Sequence, residues 1–261
     1  MPKAGAFVAA LAAEGRYHFS GDEFGKALGL SPVVARNALR RLARRNLIAS
    51  PARGFYVILP PEYRQLGCLP AEQFIPALME QRGLRYYAGL LSAAQYHGAA
   101  HHRPQAFQVF LGRNRPSIVC GAVRIEFIAR KRITDVPVQS VNTPRGTLLV
   151  STVEATAVDL IGHPQHVGGL DHVATVLAEL AERIDPDLLV VAAKTAPVPW
   201  AQRLGYLLEL IGAGEKAAAL RAYVLENARD FTSLTPGLPH DASARAANWR
   251  VYVNVEVEAE A

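Results

Sequence analysis

The sequence predicts an α+β fold: an N-terminal winged helix-turn-helix followed by a larger mixed α/β domain with an antiparallel or mixed sheet and several helices. Three observations carry that expectation. Two capped helices are separated by one tight turn between residues 20 and 45, a glycine-turned pair of short apolar runs follows them, and beyond residue 100 β-rich runs give way to helical ones.

The chain begins with an alanine-rich segment after Lys3, in which Phe7, Val8 and Leu11 share one helical face. Glu14, Arg16 and His18 interrupt it before it is long enough to be a signal peptide, so it reads as a first helix. Ser20-Gly-Asp-Glu23 is a capping box: the Ser20 hydroxyl can accept from the Glu23 amide while the Glu23 carboxylate reaches back. A short helix to Leu28 follows. Gly29 permits the left-handed backbone that ends it, and Ser31-Pro32 supplies a new N-cap with proline at the first helical position.

In the next helix Ala35, Ala38, Leu39 and Leu42 fall at i, i+3, i+4 and i+7 and form one apolar stripe. The other face carries Arg36, Asn37, Arg40, Arg41 and Arg44. Asn46 suits a left-handed C-cap, and Leu47 to Ala49 and Phe55 to Ile58 read as two strands around Ser50-Pro-Ala-Arg53-Gly54. That hairpin is a wing with Arg53 at its tip.

Crowded arginines on one face repel one another, and a polyanion is their natural partner. Residues 1–60 hold nine Lys/Arg against three Asp/Glu, a net +6, whereas residues 61–261 hold nineteen against twenty, a net −1. The polyanion therefore belongs to the N-terminal segment, and double-stranded DNA is the expected partner. The alternative reading of the same face is a solvated basic helix in an ordinary domain. Two cysteines, Cys68 and Cys120, lie far apart without C-x-x-C company, which points to a reducing cytoplasm rather than a disulfide framework. No apolar run approaches the roughly 18 residues of a membrane span.

Pro60-Pro61 ends the wing, and the expected organisation is residues 1–60 as a DNA-binding domain, 61–70 as a linker and 71–261 as a second domain. Phe74, Leu78 and Met79 share a helical face, and Tyr86 to Tyr96 reads as a helix ending at Gly98. Strands are expected at Phe107 to Leu111, Ser117 to Cys120, Val123 to Ile128, Val136 to Val141 and Thr147 to Val150. Helices then run over Thr152 to Ile161, Leu170 to Arg183, Pro186 to Lys194, Pro199 to Leu210 and Glu215 to Asn227, and Trp249 to Val257 reads as a late strand rejoining the sheet.

Chemistry in the second domain is sparse. His97, His101 and His102 include an i, i+4 pair that could bind zinc on a continuous helix, but Gly98 breaks the helix and no H-E-x-x-H is present. Glu154 and Asp159, with Glu126 and Lys131 upstream, could form the carboxylate cluster of a magnesium-dependent nuclease. The plainer reading makes Glu154 a first-turn helix acid and Asp159 a buried structural one. There is no G-x-S-x-G, P-loop or dinucleotide fingerprint, so neither a catalytic set nor a cofactor is expected, and no metal site is assigned.

The winged helix followed by Tyr86-Tyr-Ala-Gly-Leu-Leu-Ser-Ala-Ala-Gln-Tyr-His-Gly98, then Arg103-Pro-Gln-Ala-Phe-Gln-Val109, then Thr147-Leu-Leu-Val-Ser-Thr-Val-Glu-Ala-Thr-Ala-Val-Asp159-Leu resembles the AbiEi antitoxin family over nearly the whole chain. The resemblance implies the antitoxin of a type IV toxin-antitoxin system linked to abortive phage infection. It implies a nucleotidyltransferase-like toxin as functional partner and repression of the chain's own operon at inverted repeats. The DNA role then falls on Ser31, Val33, Arg36, Asn37, Arg40, Arg41, Arg44 and Arg53. A metal-dependent nuclease and an effector-responsive regulator stand as the alternatives.

Overall fold

A computed structural model describes residues 2–99, 104–239 and 243–258. It is a mixed α+β structure that divides into two compact units, Met1–Tyr87 with Gln105–Lys131 and Ser140–Leu149, and Ala88–Pro104 with Arg132–Gln139 and Val150–Ala261. No helix among the described residues is long and apolar enough to cross a membrane.

The first unit opens with α1 (Pro2–Ala13), β1 (His18–Ser20), α2 (Gly21–Ala27), α3 (Pro32–Arg44), β2 (Ile48–Ala52) and β3 (Phe55–Ile58). The capping box forms as expected: the Glu23 amide donates to Ser20 Oγ at 3.0 Å and the Ser20 amide to Glu23 Oε2 at 3.4 Å. Gly29 adopts a φ of +62° and Asn46 one of +52°, ending α2 and the turn after α3. Val8, Leu11, Phe19, Phe24, Ala35, Ala38, Leu39, Leu42, Ile48 and Ile58 close one core, with the Phe7 ring edge-on to Phe19 and Phe24. The strand at His18–Ser20 is not among the expected elements. It pairs antiparallel with β3, giving a three-stranded sheet of order β1-β3-β2.

The same unit takes in residues 61–70, read from sequence as a linker. The Ala122 amide donates to Leu66 O at 2.8 Å, and Gly67 and Gly121, both at positive φ, meet backbone to backbone. Next come α4 (Ile75–Gln81) and β4 (Tyr86–Ala88), followed by α5 (Leu90–Ala94), which falls in the second unit. The helix expected from Tyr86 thus begins four residues late. Tyr87 stacks on Phe110 at 5.0 Å as part of a strand, and Leu90 sits at a φ of +50°, which a helix beginning at Tyr86 could not contain.

The strands β5 (Phe107–Leu111), β6 (Ile118–Cys120), β7 (Val123–Ala129), β8 (Val138–Thr143) and β9 (Gly146–Ser151) fall close to their expected places. They form, with β4, a six-stranded sheet of order β6-β7-β5-β4-β9-β8. The sheet is mixed: β5 runs parallel to β7 and β4 parallel to β9, while β6 and β7 are antiparallel.

The second unit is built on α6 (Val153–Gly162), α7 (Leu170–Ala181), α8 (Pro186–Ala193), α9 (Val198–Leu210) and α10 (Ala218–Asn227). Two glycines let aromatic rings lie against helix backbone. A Cβ on Gly162 would overlap the Trp200 ring, and one on Gly205 would overlap Trp249. The strands β10 (Thr232–Ser233), β11 (Ala244–Ala246) and β12 (Val251–Val253) make a separate sheet of order β10-β12-β11. The late strand is therefore shorter than expected and does not rejoin the larger sheet. Arg250, at a φ of +52°, turns the chain after Trp249, whose indole N–H donates to the Glu209 carboxylate.

Gly205→Ala tests this packing, because helix propensity alone favours alanine by about 0.5–1 kcal/mol. Overpacking against the buried Trp249 ring costs about 1–3 kcal/mol. The expected outcome is a lower urea midpoint, and an unchanged or raised midpoint contradicts the packing.

Candidate nucleic-acid interface

The geometry of α3 follows from what it buries. Ala35, Ala38, Leu39 and Leu42 are each 4–6 % exposed, so the 3.6-residue period turns Arg36, Asn37, Arg40, Arg41 and Arg44 to solvent. Among the described residues none of these four arginines is in an ion pair. In α2, Glu23 is held by Arg16 at 2.6 Å. Arg41 and Arg44 lie in the last turn, where the helix dipole offsets some of the repulsion. Ser31 occupies the N-cap position with Pro32 at the first helical position, yet its hydroxyl makes no capping hydrogen bond and is exposed. Val33 is 62 % exposed, an unusual setting for a valine beside a well-formed core.

The hairpin after α3 turns at Arg53-Gly54, with Gly54 at a φ of +76°. The register between β2 and β3 slips between Ala49 and Ala52, and Pro51, which has no amide hydrogen to donate, sits in that bulge. Ser50 Oγ donates across the bulge to the Ala52 and Phe55 carbonyls, each at 3.1 Å. A groove of about 720 Å³ lies between α2, the first turns of α3 and the hairpin. Lys26, Arg36 and Arg53 line it against one carboxylate, Asp22.

All eight residues singled out from the sequence are exposed, and Arg36 and Arg53 share the groove. Lys26 and Arg82 are the additions. Lys26 is an isolated cation in a short helix, and Arg82, whose guanidinium donates to the Arg53 carbonyl at 3.2 Å, lies 29 residues away in the chain. Nothing local in the sequence brings either to the hairpin.

Residues 87–210 match the model of the AbiEi antitoxin C-terminal domain. Over that segment the chain is similar to the AbiEi antitoxin family. No curated protein matches it. Among solved structures it resembles the crystal structure of the RV2827C protein from Mycobacterium tuberculosis at a TM-score of 0.67 and 16 % identity, covering 95 % of this chain and 90 % of that one. At that identity the likeness concerns the fold.

The AbiEi segment runs from β4 through α9, and the polar residues of its motifs are buried in hydrogen bonds. His97, 1 % exposed, has its Nε2 at 2.7 Å from the Ser151 carbonyl. Thr156 Oγ1 donates to Thr152 O at 2.7 Å, so Ser151 Oγ, also 2.7 Å away, donates to Thr156. Glu154, in the first turn of α6, accepts the Asp185 amide at 3.2 Å, and Asp185 in turn accepts the Asp187 and Leu188 amides as the N-cap of α8. Asp159 is completely buried. Glu126 belongs to the other unit, on β7. Among the described residues no group of three His, Cys, Asp or Glu is placed to hold a metal. His101 and His102 lie outside the described residues.

Burial holds the His97 imidazole below its ordinary value of 6.5, opposed by the hydrogen bond to Ser151, which favours the cation. The unfolded chain takes up this proton first, so stability present above pH 6.5 is lost as the pH falls toward the lower folded value. The urea midpoint is expected to drop between pH 7.5 and 5.5, with a smaller drop in His97→Gln, whose amide can still donate to Ser151. An equal drop in both proteins contradicts the assignment.

Proposed function

We propose that this chain is an antitoxin that represses its own operon and counteracts a nucleotidyltransferase-like toxin. Residues 1–60 form a winged helix-turn-helix DNA-binding domain in this reading, and residues 71–261 carry the antitoxic function. The observation that carries the DNA half is the row of exposed arginines on α3, none in an ion pair among the described residues, beside a hairpin tipped by Arg53. The AbiEi segment carries the antitoxin half.

In a helix-turn-helix the N-terminal turns of the second helix reach base edges in the major groove. Here α3 is that helix. Arg36, Asn37 and Arg40 read bases, Val33 packs on a thymine methyl, and Ser31, Arg41, Arg44 and Arg53 hold phosphates. Two copies on an inverted repeat complete the operator. The protein works without a cofactor, as a binding protein rather than an enzyme: the carboxylates of α6 are engaged in fixing α8 or are buried, which disfavours the nuclease alternative.

A bidentate arginine–guanine contact discriminates by about 1–3 kcal/mol. Arg40→Ala is therefore expected to weaken binding to the chain's own upstream DNA by roughly 5- to 150-fold and to relax preference at one position of each half-site. Gel shifts against a panel of substituted half-sites measure both. Unchanged affinity and unchanged preference sink the assignment. For the antitoxin half, co-expression with the neighbouring toxin is expected to restore growth, and failure of a soluble, folded chain to do so rejects it.

A further inference from the structure

The two cysteines, 52 residues apart in sequence, meet in space. Gly67 and Gly121 make the meeting possible: a Cβ on Gly121 would run into the Leu66 carbonyl and the Gly67 backbone, so two bare backbones lie in contact. The Ala122 amide fixes their register by donating to Leu66 O at 2.8 Å. The next residue in one segment is Cys68 and the preceding one in the other is Cys120. Both are free thiols, and the Cys68 S–H donates to the Cys120 sulfur. Cys68 is fully buried, while Cys120 keeps 9 % of its surface open at the end of β6.

A third group completes the arrangement. Strand β2 packs against β6, and from within its bulge, where the ladder register is interrupted, the Ser50 amide is the backbone donor facing the Cys120 sulfur. The hydrogen bond from Cys68, and then that from Ser50, hold the Cys120 thiol below its ordinary value against the opposing effect of burial. The bond to Cys120 and burial push Cys68 the other way. Cys120, the one of the two that keeps surface open to solvent, is thus the nucleophile of the pair and Cys68 the resolving thiol.

We propose that Cys68 and Cys120 form a redox-responsive dithiol that hydrogen peroxide closes to a disulfide, releasing the Ser50 amide in the β2–β3 hairpin. The Cys120 sulfur attacks one peroxide oxygen, the O–O bond breaks, and sulfenic acid and water form. The Cys68 sulfur then attacks the Cys120 sulfur; the S–S bond forms, the S–O bond breaks, and the hydroxyl leaves with the Cys68 proton as a second water. Two thiols lose two electrons to one peroxide. Closure pulls the Cys120 sulfur into a bond with Cys68, so the Ser50 amide, three residues before Arg53, loses its acceptor. Closure of the pair does not rest on the winged-helix reading.

The full-length protein is treated with a small excess of hydrogen peroxide, and free thiols, intact mass and a non-reducing peptide map are followed with amide exchange at Ser50. The expected result is joint loss of both thiols without intermolecular disulfides, a cross-linked Cys68–Cys120 peptide pair, faster exchange at Ser50, and reversal of all of these by dithiothreitol. Cys68→Ser, or Cys68→Ala should the first fail to fold, is expected to stop at a Cys120 sulfenic acid that dimedone traps. A folded wild-type chain that keeps both thiols, or that loses them only through intermolecular bonds or after denaturation, overturns the proposal. Unchanged Ser50 exchange in the oxidised chain overturns its coupling to the hairpin. None of these readouts uses DNA, so failure of the DNA-binding reading is seen separately in the gel shifts.

Discussion

Burial of Leu39 and Leu42 in the first unit is the constraint on which the basic surface depends. Each of these side chains, removed from water, contributes about 1.5–3 kcal/mol, and together with Ala35 and Ala38 they fix the rotation of α3 about its axis. Once that rotation is fixed, the arginines have no choice of direction. Their mutual repulsion is a modest, salt-screened cost by comparison, which the core can carry. The capping box at Ser20 and the left-handed turns at Gly29 and Asn46 then set where α2 and α3 start and stop, and so where the basic row lies relative to Arg53.

The second unit shows the opposite use of polar residues. His97, Ser151, Thr156 and Glu154 face inward and bond one another or the backbone, which limits the cost of unmade hydrogen bonds, with His97 Nδ1 left without a partner among the described residues. Such residues define a fold rather than a reaction centre.

Much of the first 60 residues was legible in the sequence because the signals there are local. A capping box, two glycine or asparagine turns and a helical stripe each involve residues within a few positions of one another, and each is found where the spacing puts it. What escaped was non-local. The strand at His18–Ser20 exists because β3 pairs with it, the Tyr86–Ala88 segment is extended because Tyr87 finds Phe110, and Lys26 and Arg82 reach the hairpin only through folding. Cys68 and Cys120 carry no spacing signal either, since it is the contact of Gly67 with Gly121 that joins them. The parallel pairing of β5 with β7 was likewise open, because alternation of residues reports a strand but not the direction of its neighbour.

The central claim is that the face of α3 and the hairpin tip meet the phosphates of a duplex. Fluorescence anisotropy titrations of the chain's own upstream DNA over a range of salt concentrations test it most directly, because the slope of log K against log salt reports the phosphates neutralised. The account predicts a steep negative slope that becomes shallower by about 0.9 for each of Arg41, Arg44 and Arg53 replaced by alanine. A slope that these replacements leave unchanged would contradict it.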